Sequence, residues 1–240
     1  PPHAPILCRT TEMGDNAMRK ATIWAGFGII LGAAAALGHG DTAPQSVDTT
    51  GLPELPQDMA SENPWREADP AVLFKAVEVG AKGFNSNCAR CHGLGAISGG
   101  LAPDLRYLEA NAFGDEWYLD RILHGYEQNG AVKMPPFEGI LNQQAIWAIR
   151  TYVETRADET AIAEQKEKLT ELRDKLAAVA DDPATATALA PELSAAGEGF
   201  ETLSGAPRAV TPFDEAAWQL SSNPPHIKAA IETLSAAVRN

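Results

Sequence analysis

The sequence predicts an all-α fold, on three observations. Apolar residues recur at helical spacing on both sides of a Cys-x-x-Cys-His segment at Cys88–His92. No stretch alternates apolar and polar residues as a half-buried strand would. Farther on, Ile162, Leu169, Leu172, Leu176 and Val179 fall on steps of seven, three, four and three, which describes an amphipathic helix with a coiled-coil-like seam.

The 240 residues, 45% of them hydrophobic, are enough to bury a core of one ordinary domain or two small ones. A formal charge of -13, from 19 basic and 32 acidic residues, argues against nucleic acid, because a phosphate-binding surface needs clustered Lys and Arg. The same balance disfavours an anionic membrane surface and favours a partner with a basic docking patch. The three cysteines are Cys8 and the close pair Cys88 and Cys91, so the disulfide framework of a small secreted domain is absent.

Residues 1–40 form an upstream segment followed by a targeting signal. Met18-Arg19-Lys20 supplies a basic start, and Ala21 to Gly38 is an uncharged apolar run, which together read as a secretory signal cleaved near Ala36 to Asp41. The competing reading is an uncleaved membrane anchor, since the run exceeds the roughly 7 to 15 residues usual for a signal core. In either case the rest of the chain is exported, and it meets a membrane only if this segment stays attached. Residues 41–68 are proline-rich, without period, and read as an extended leader, a linker.

Residues 69–155 are the first folded unit. Asp69 caps a helix with Pro70 at its first position, and Val72, Leu73, Ala76, Val77 and Val79 give it an apolar face. Gly99 to Leu105 has turn chemistry. A short helix is expected from about Asp115 to His124, with Trp117, Leu119, Ile122 and Leu123 inward and Gly125 as its stop. Met134-Pro135-Pro136 follows in a loop, and a last helix runs from about Asn142 to Thr155. Residues 156–240 make a helical extension: the seam helix, ended by Pro183, then short helices around Thr185–Leu203, Asp214–Leu220 and His226–Arg239.

Cys88-Ala89-Arg90-Cys91-His92 is an attachment sequence for covalent haem c. Two thiols at that spacing reach the two vinyl groups while the adjacent imidazole comes under the iron. A thioredoxin-like pair needs a βαβ context and a zinc site needs further Cys or His ligands, and both are missing. One such motif predicts one haem. Met134 is the candidate for the second axial position, because its flanking prolines stiffen the loop that must hold a weak thioether ligand. Met59 lies upstream of the haem helix. His124, at a helix end, and His226 read as ordinary surface histidines. A backbone carbonyl in the Ala102–Pro103 turn is a suitable acceptor for the second ring nitrogen of His92.

Gly80-Ala-Lys-Gly-Phe84, the haem motif with Gly93, Ala102-Pro103-Asp104-Leu105, Gly125, Met134-Pro-Pro136 and Ala148-Ile-Arg-Thr-Tyr152-Val153 stand in the order seen in the class I cytochromes c. Residues 69–155 resemble that family. The resemblance implies helices gathered around the haem, Gly80 and Phe84 packed near Tyr152, and Pro103 as the carbonyl partner of His92. Ala96 to Arg106, Met134-Pro-Pro-Phe-Glu138 and Ala145 to Arg150 are similar, more narrowly, to the cytochrome c-550 group. That group accepts electrons from periplasmic quinoprotein alcohol dehydrogenases, which use pyrroloquinoline quinone. Residues 156–240 depart from it and read as a helical cap or a docking arm.

With His92 and Met134 both on the iron, no substrate reaches it, so the expected role is a periplasmic electron carrier and not an enzyme. Its donor would be a quinoprotein alcohol dehydrogenase and its acceptor a terminal cytochrome oxidase or another cytochrome. The alternative is a ligand-binding or peroxidase-like haem protein in which Met134 dissociates. The sequence shows no distal acid, base or Arg at a recognisable spacing for peroxide chemistry.

Overall fold

Two helices cross at the centre of the first unit. In α1 (Pro70–Asn87) the Asp69 carboxylate accepts the Ala71 and Val72 N–H groups at 3.0 and 3.2 Å, with Pro70 where its missing N–H costs nothing. In α4 (Gln143–Glu154) the Asn142 side chain accepts from Ala145 N–H at 2.8 Å. They meet at Gly80, where a Cβ would lie 1.9 Å from the carbonyl oxygen of Ala148, so only glycine permits this approach. Phe84 packs on Tyr152 with ring centroids 5.4 Å apart.

This computed structural model describes residues 43–239. The signal or anchor segment and Cys8 lie outside the described residues. Among the described residues no helix is long and apolar enough to cross a membrane.

A single turn, α2 (Ala89–His92), continues from α1, and α3 (Ala112–His124) starts from an Asn111 cap and stops at Gly125. It begins three residues before its expected start. Its inward aromatic is not Trp117, which is 36% exposed beneath the Arg121 guanidinium, but Tyr118, whose hydroxyl donates to the Ile146 carbonyl at 2.8 Å.

The all-α expectation needs one correction. Strands β1 (Tyr126–Gln128) and β2 (Ala131–Met134) pair as an antiparallel hairpin. Asn129 and Gly130 both have positive φ, +54° and +72°, which makes Asn-Gly the favoured two-residue connection. Both strands are almost wholly exposed, so no burial forces their residues to alternate. Met134 therefore ends a strand and does not lie in a free loop.

The leader is extended but is no linker. Leu52 and Trp65 are buried, and the Gln143 side chain donates to the Pro56 carbonyl at 2.7 Å and accepts from Ala60 N–H at 2.6 Å. Asn63 and Arg66 enter a buried polar network with Asp115 of α3 and Arg150 and Glu154 of α4.

The extension comprises α5 (Glu159–Glu164), α6 (Lys166–Ala178), α7 (Pro183–Thr187), α8 (Ala190–Ala196), α9 (Pro212–Ser221) and α10 (Ile227–Arg239). The expected seam helix breaks at Gln165, and Pro183 opens α7 behind an Asp182 cap. Leu169, Leu172 and Leu176 join Leu193, Phe213, Leu220 and Leu234 in a second hydrophobic cluster, while Val210 and Trp218 pack into the first. Val210 N–H donates to the Thr155 carbonyl at 2.8 Å, and Trp218 stacks on Phe74 at 5.6 Å.

Candidate haem site

Cys88 is the hinge between α1 and α2. Its N–H donates to the Phe84 carbonyl at 2.7 Å, and its own carbonyl accepts from Cys91 and His92 at 3.0 and 2.9 Å. One turn of helix thus carries Cys88, partly buried, Cys91, exposed, and the His92 imidazole. Gly93 follows at φ +83°, where a Cβ would fall 1.8 Å from the Ile97 carbonyl oxygen, so the chain can reverse tightly behind the histidine.

The loop after the motif returns to His92. Nδ1 of His92 lies 2.8 Å from the carbonyl oxygen of Pro103, the acceptor that the resemblance points to. A carbonyl cannot donate, so Nδ1 carries the proton and Nε2 keeps its lone pair for a metal. Burial lowers the imidazole below its ordinary range despite Pro103 and Asp104, which favours the neutral, ligating form.

Behind Pro103 stands a buried cation. Arg106, 3% exposed, grips the Asp104 carboxylate through Nε at 3.0 Å and Nη2 at 2.7 Å. Burial alone would raise the Asp104 carboxyl, but the Arg106 hydrogen bonds hold it below the usual range. The Nη1 and Nη2 end of the same guanidinium donates to Glu159 of α5. Sequence reasoning missed this triad: Arg106 and Glu159 are 53 residues apart, and nothing near either marks the other.

Met134 comes from a different element. It is half-buried at the end of β2, and Gly125, the stop of α3, lies against its backbone: a Cβ there would sit 2.4 Å from the Met134 carbonyl oxygen. Directly after the prolines the chain is tied back, Phe137 N–H donating to the Ile122 carbonyl at 2.9 Å and Glu138 N–H to that of Leu123 at 3.4 Å. The Met-Pro-Pro segment is therefore fixed at both ends by α3. His124 is exposed, with Nδ1 3.2 Å from Asp120, and His226 precedes α10, its N–H on the Gln219 carbonyl at 2.8 Å. Met59 is 39% exposed in the leader.

These residues fit a covalently held haem. Two thiols and a neutral imidazole share one turn, and the loop between His92 and Pro103 presents Leu94, Ile97 and Leu101 outward, an apolar rim suited to a large flat ring. Among the described residues no group of three or more His, Cys, Asp or Glu side chains could hold a metal ion, so no zinc-type cluster surrounds the thiols.

Comparison with known proteins agrees. Residues 75–153 match the family model described as cytochrome c oxidase, cbb3-type, subunit III. Cytochrome c550 of Pseudomonas aeruginosa is 46% identical over 141 residues, 59% of this chain and 94% of that protein. Quinohemoprotein alcohol dehydrogenase ADH IIB of Pseudomonas putida is 33% identical over 90 residues, 38% of this chain but 12% of the enzyme. The cbb3-type oxidase subunit FixP of Rhizobium etli is 32% identical over 100 residues, 36% of this chain and 32% of that subunit. No solved structure matches. The attachment turn and a relative covered over nearly its whole length lead to one conclusion: the chain belongs to the c-type cytochromes, as a cytochrome c550-like electron carrier rather than an enzyme.

Proposed function

We propose that residues 69–155 form a class I cytochrome c domain holding one haem c, capped by the helical extension, which carries single electrons in the periplasm. The observation that carries this reading is the turn bearing Cys88, Cys91 and His92, with His92 Nδ1 on the Pro103 carbonyl at 2.8 Å. When bound, the haem supplies a one-electron iron couple. Cys88 and Cys91 would hold it by thioether bonds, His92 would ligate through Nε2, and Met134 would supply the second protein ligand. Pro135 and Pro136 limit the freedom of that ligand, and the hydrogen bonds of Phe137 and Glu138 to α3 anchor it. A thioether ligand paired with histidine would favour reduced iron and would leave no ligand position for a substrate.

The donor we propose is a quinoprotein alcohol dehydrogenase, and the acceptor a terminal oxidase or another cytochrome. Support comes from relatives whose own names join a similar segment to a quinohemoprotein alcohol dehydrogenase and to a cbb3-type oxidase. The formal charge of -13 suits a donor or acceptor with a basic docking patch. The apolar Ala21–Gly38 segment, read as a secretory signal or anchor, supports export.

Optical spectra of the purified protein, oxidised and reduced, with and without carbon monoxide, test the site. A methionine-to-iron charge-transfer band with no response to carbon monoxide is expected, and Met134→Ala should keep the haem but lose that band and drop in potential. A rapid carbon monoxide shift in the unaltered protein would instead identify an open iron and a ligand-binding or peroxidase-like protein.

A further inference from the structure

We propose that Glu159, the first residue of α5, is a positioning residue for the haem site: through Arg106 and Asp104 it holds the loop whose Pro103 carbonyl orients His92. The proposal rests on the reading above, in which His92 is an iron ligand.

The loop has little support of its own. Between Gly93 and Asp104 it contains three further glycines and exposes Leu94 and Leu101, and its internal bonds are few: Ile97 N–H on the Leu94 carbonyl at 3.2 Å and Ser98 Oγ on the Ala102 carbonyl at 2.5 Å among them. Its firm end is Asp104, which follows Pro103 directly. Asp104 accepts from Ser98 N–H at 3.4 Å and Arg106 N–H at 3.1 Å, and its carboxylate is forked onto the Arg106 guanidinium. The Arg106 side chain is 4% exposed and cannot swing into water without leaving its pocket. Asp104 takes the Nε and Nη2 side of the guanidinium, and Glu159 takes the Nη1 and Nη2 end with both oxygens, Oε1 at 3.2 Å from Nη2, so the cation that grips Asp104 is tied to α5. Glu159 is itself fixed at the start of α5, whose Asp158 cap accepts from Thr160 N–H at 2.8 Å. Other joints of the extension fall outside residues 97–108: the Ser204 carbonyl accepts from Ala110 N–H at 2.9 Å, and Trp218 stacks on Phe74, about 21 Å along α1 from Cys88 at 1.5 Å per residue.

A firmer Pro103 carbonyl strengthens its hydrogen bond from Nδ1, makes the imidazole a better donor and favours oxidised iron. Loosening the loop therefore raises the potential. A carboxylate-to-amide change also raises it by removing negative charge, so the test needs a matched charge control on the same helix.

The experiment compares Glu159→Gln, Glu164→Gln and Trp218→Ala in the full-length haem-loaded protein. Amide hydrogen exchange is followed over residues 97–108, and the midpoint potential is taken by spectroelectrochemical titration. A partly exposed ion pair protects a local opening by up to about fivefold. Glu159→Gln should speed exchange in this loop by about that factor and raise the potential. Glu164→Gln should leave the exchange unchanged and move the potential less, and Trp218→Ala should lower the melting temperature without altering either readout. Glu159→Gln added to Arg106→Gln should bring no further change in exchange over this loop. Wild-type exchange in Glu159→Gln, or an equal rise in Glu164→Gln, overturns the proposal while leaving the haem reading intact. A wild-type protein that forms no haemochrome with pyridine overturns both.

Discussion

Replacing Arg66 by methionine keeps most of an apolar stem and removes the guanidinium that joins the leader to the helices. That group donates to both oxygens of Asp115 at 2.8 and 2.7 Å and to Glu154 at 3.1 and 2.9 Å. Arg150 donates to Asp115 at 2.8 Å and lies 3.3 Å from Glu154, while Asn63 gives its N–H to Asp115 at 2.9 Å and its side-chain amide to Glu154 at 2.8 Å. The side chains of Asp115, Glu154 and Arg150 are fully buried, and Arg66 is 11% exposed. Two guanidinium groups balance two carboxylates, so the variant leaves one buried negative charge uncompensated, at a cost of about 3–5 kcal/mol. At 2–4 °C per kcal/mol for a unit of this size, thermal unfolding followed by circular dichroism should shift down by about 6–20 °C. The loss should also depend on pH. Burial already raises the Glu154 carboxyl above its ordinary value with both arginines in place, and losing Arg66 raises it further. A carboxyl whose folded-state value is raised binds its proton more tightly in the fold, so its penalty is complete above that value and is relieved as pH falls through it. The gap between variant and parent should therefore narrow from pH 7 toward pH 5. A shift below about 2 °C at pH 7, or a loss independent of pH, would refute the account.

Other substitutions test the helix crossing and the methionine segment. Gly80→Ala places a methyl 1.9 Å from the Ala148 carbonyl oxygen and 2.8 Å from Tyr152 Cβ, so α1 and α4 must part. A loss of about 3 kcal/mol or more in urea unfolding is expected. Gly125→Ala meets the Met134 carbonyl at 2.4 Å and the Pro136 nitrogen at 2.9 Å, at a φ of +74° that alanine resists. It should weaken the methionine-to-iron band and make the iron react with carbon monoxide, while haem attachment at Cys88 and Cys91 is unaffected.

How far the sequence could be read depended on how local each cause was. The ends of α1 and α4 follow from Asp69-Pro70 and Asn142, whose side chains act within three residues, and the haem turn follows from five consecutive positions. The hairpin was legible in Asn129-Gly130 alone, yet its short exposed strands, with no buried face, hide it from any test of alternation. Trp117 and Tyr118 are neighbours on one helix, and choosing between them requires the start of α3, which Asn111 sets. The leader is the clearest failure of composition as a guide: its prolines suggest a linker, while Trp65 is buried and Asn63 and Arg66 bond to α3 and α4 at separations of 49 to 91 residues. Such partners leave no periodic trace, and the Arg106–Glu159 pair escaped for the same reason.

The extension shows where an apolar pattern can mislead about partners. The seam at Leu169, Leu172 and Leu176 must be covered, which left a docking arm open as a reading; the cover proves to be Phe213, Leu220 and Leu234 of the same extension. What faces the first unit is smaller and mixed: Trp218 on Phe74, Val210 in the first hydrophobic cluster and Arg156 over the Tyr152 ring at 5.3 Å. Hydrogen bonds from Ser204 Oγ to the Glu154 carbonyl at 2.5 Å and from Ala110 N–H to the Ser204 carbonyl at 2.9 Å complete the joint. Burying Val210, and Trp218 in part, contributes at most roughly 3–6 kcal/mol, the same order as the whole stability of a small domain. A chain ending at Thr155 should accordingly lose about that much in denaturant titrations and expose Phe74 and Tyr152 to quenchers. Unchanged unfolding of the shortened chain would mean that the extension rests on the first unit without stabilising it.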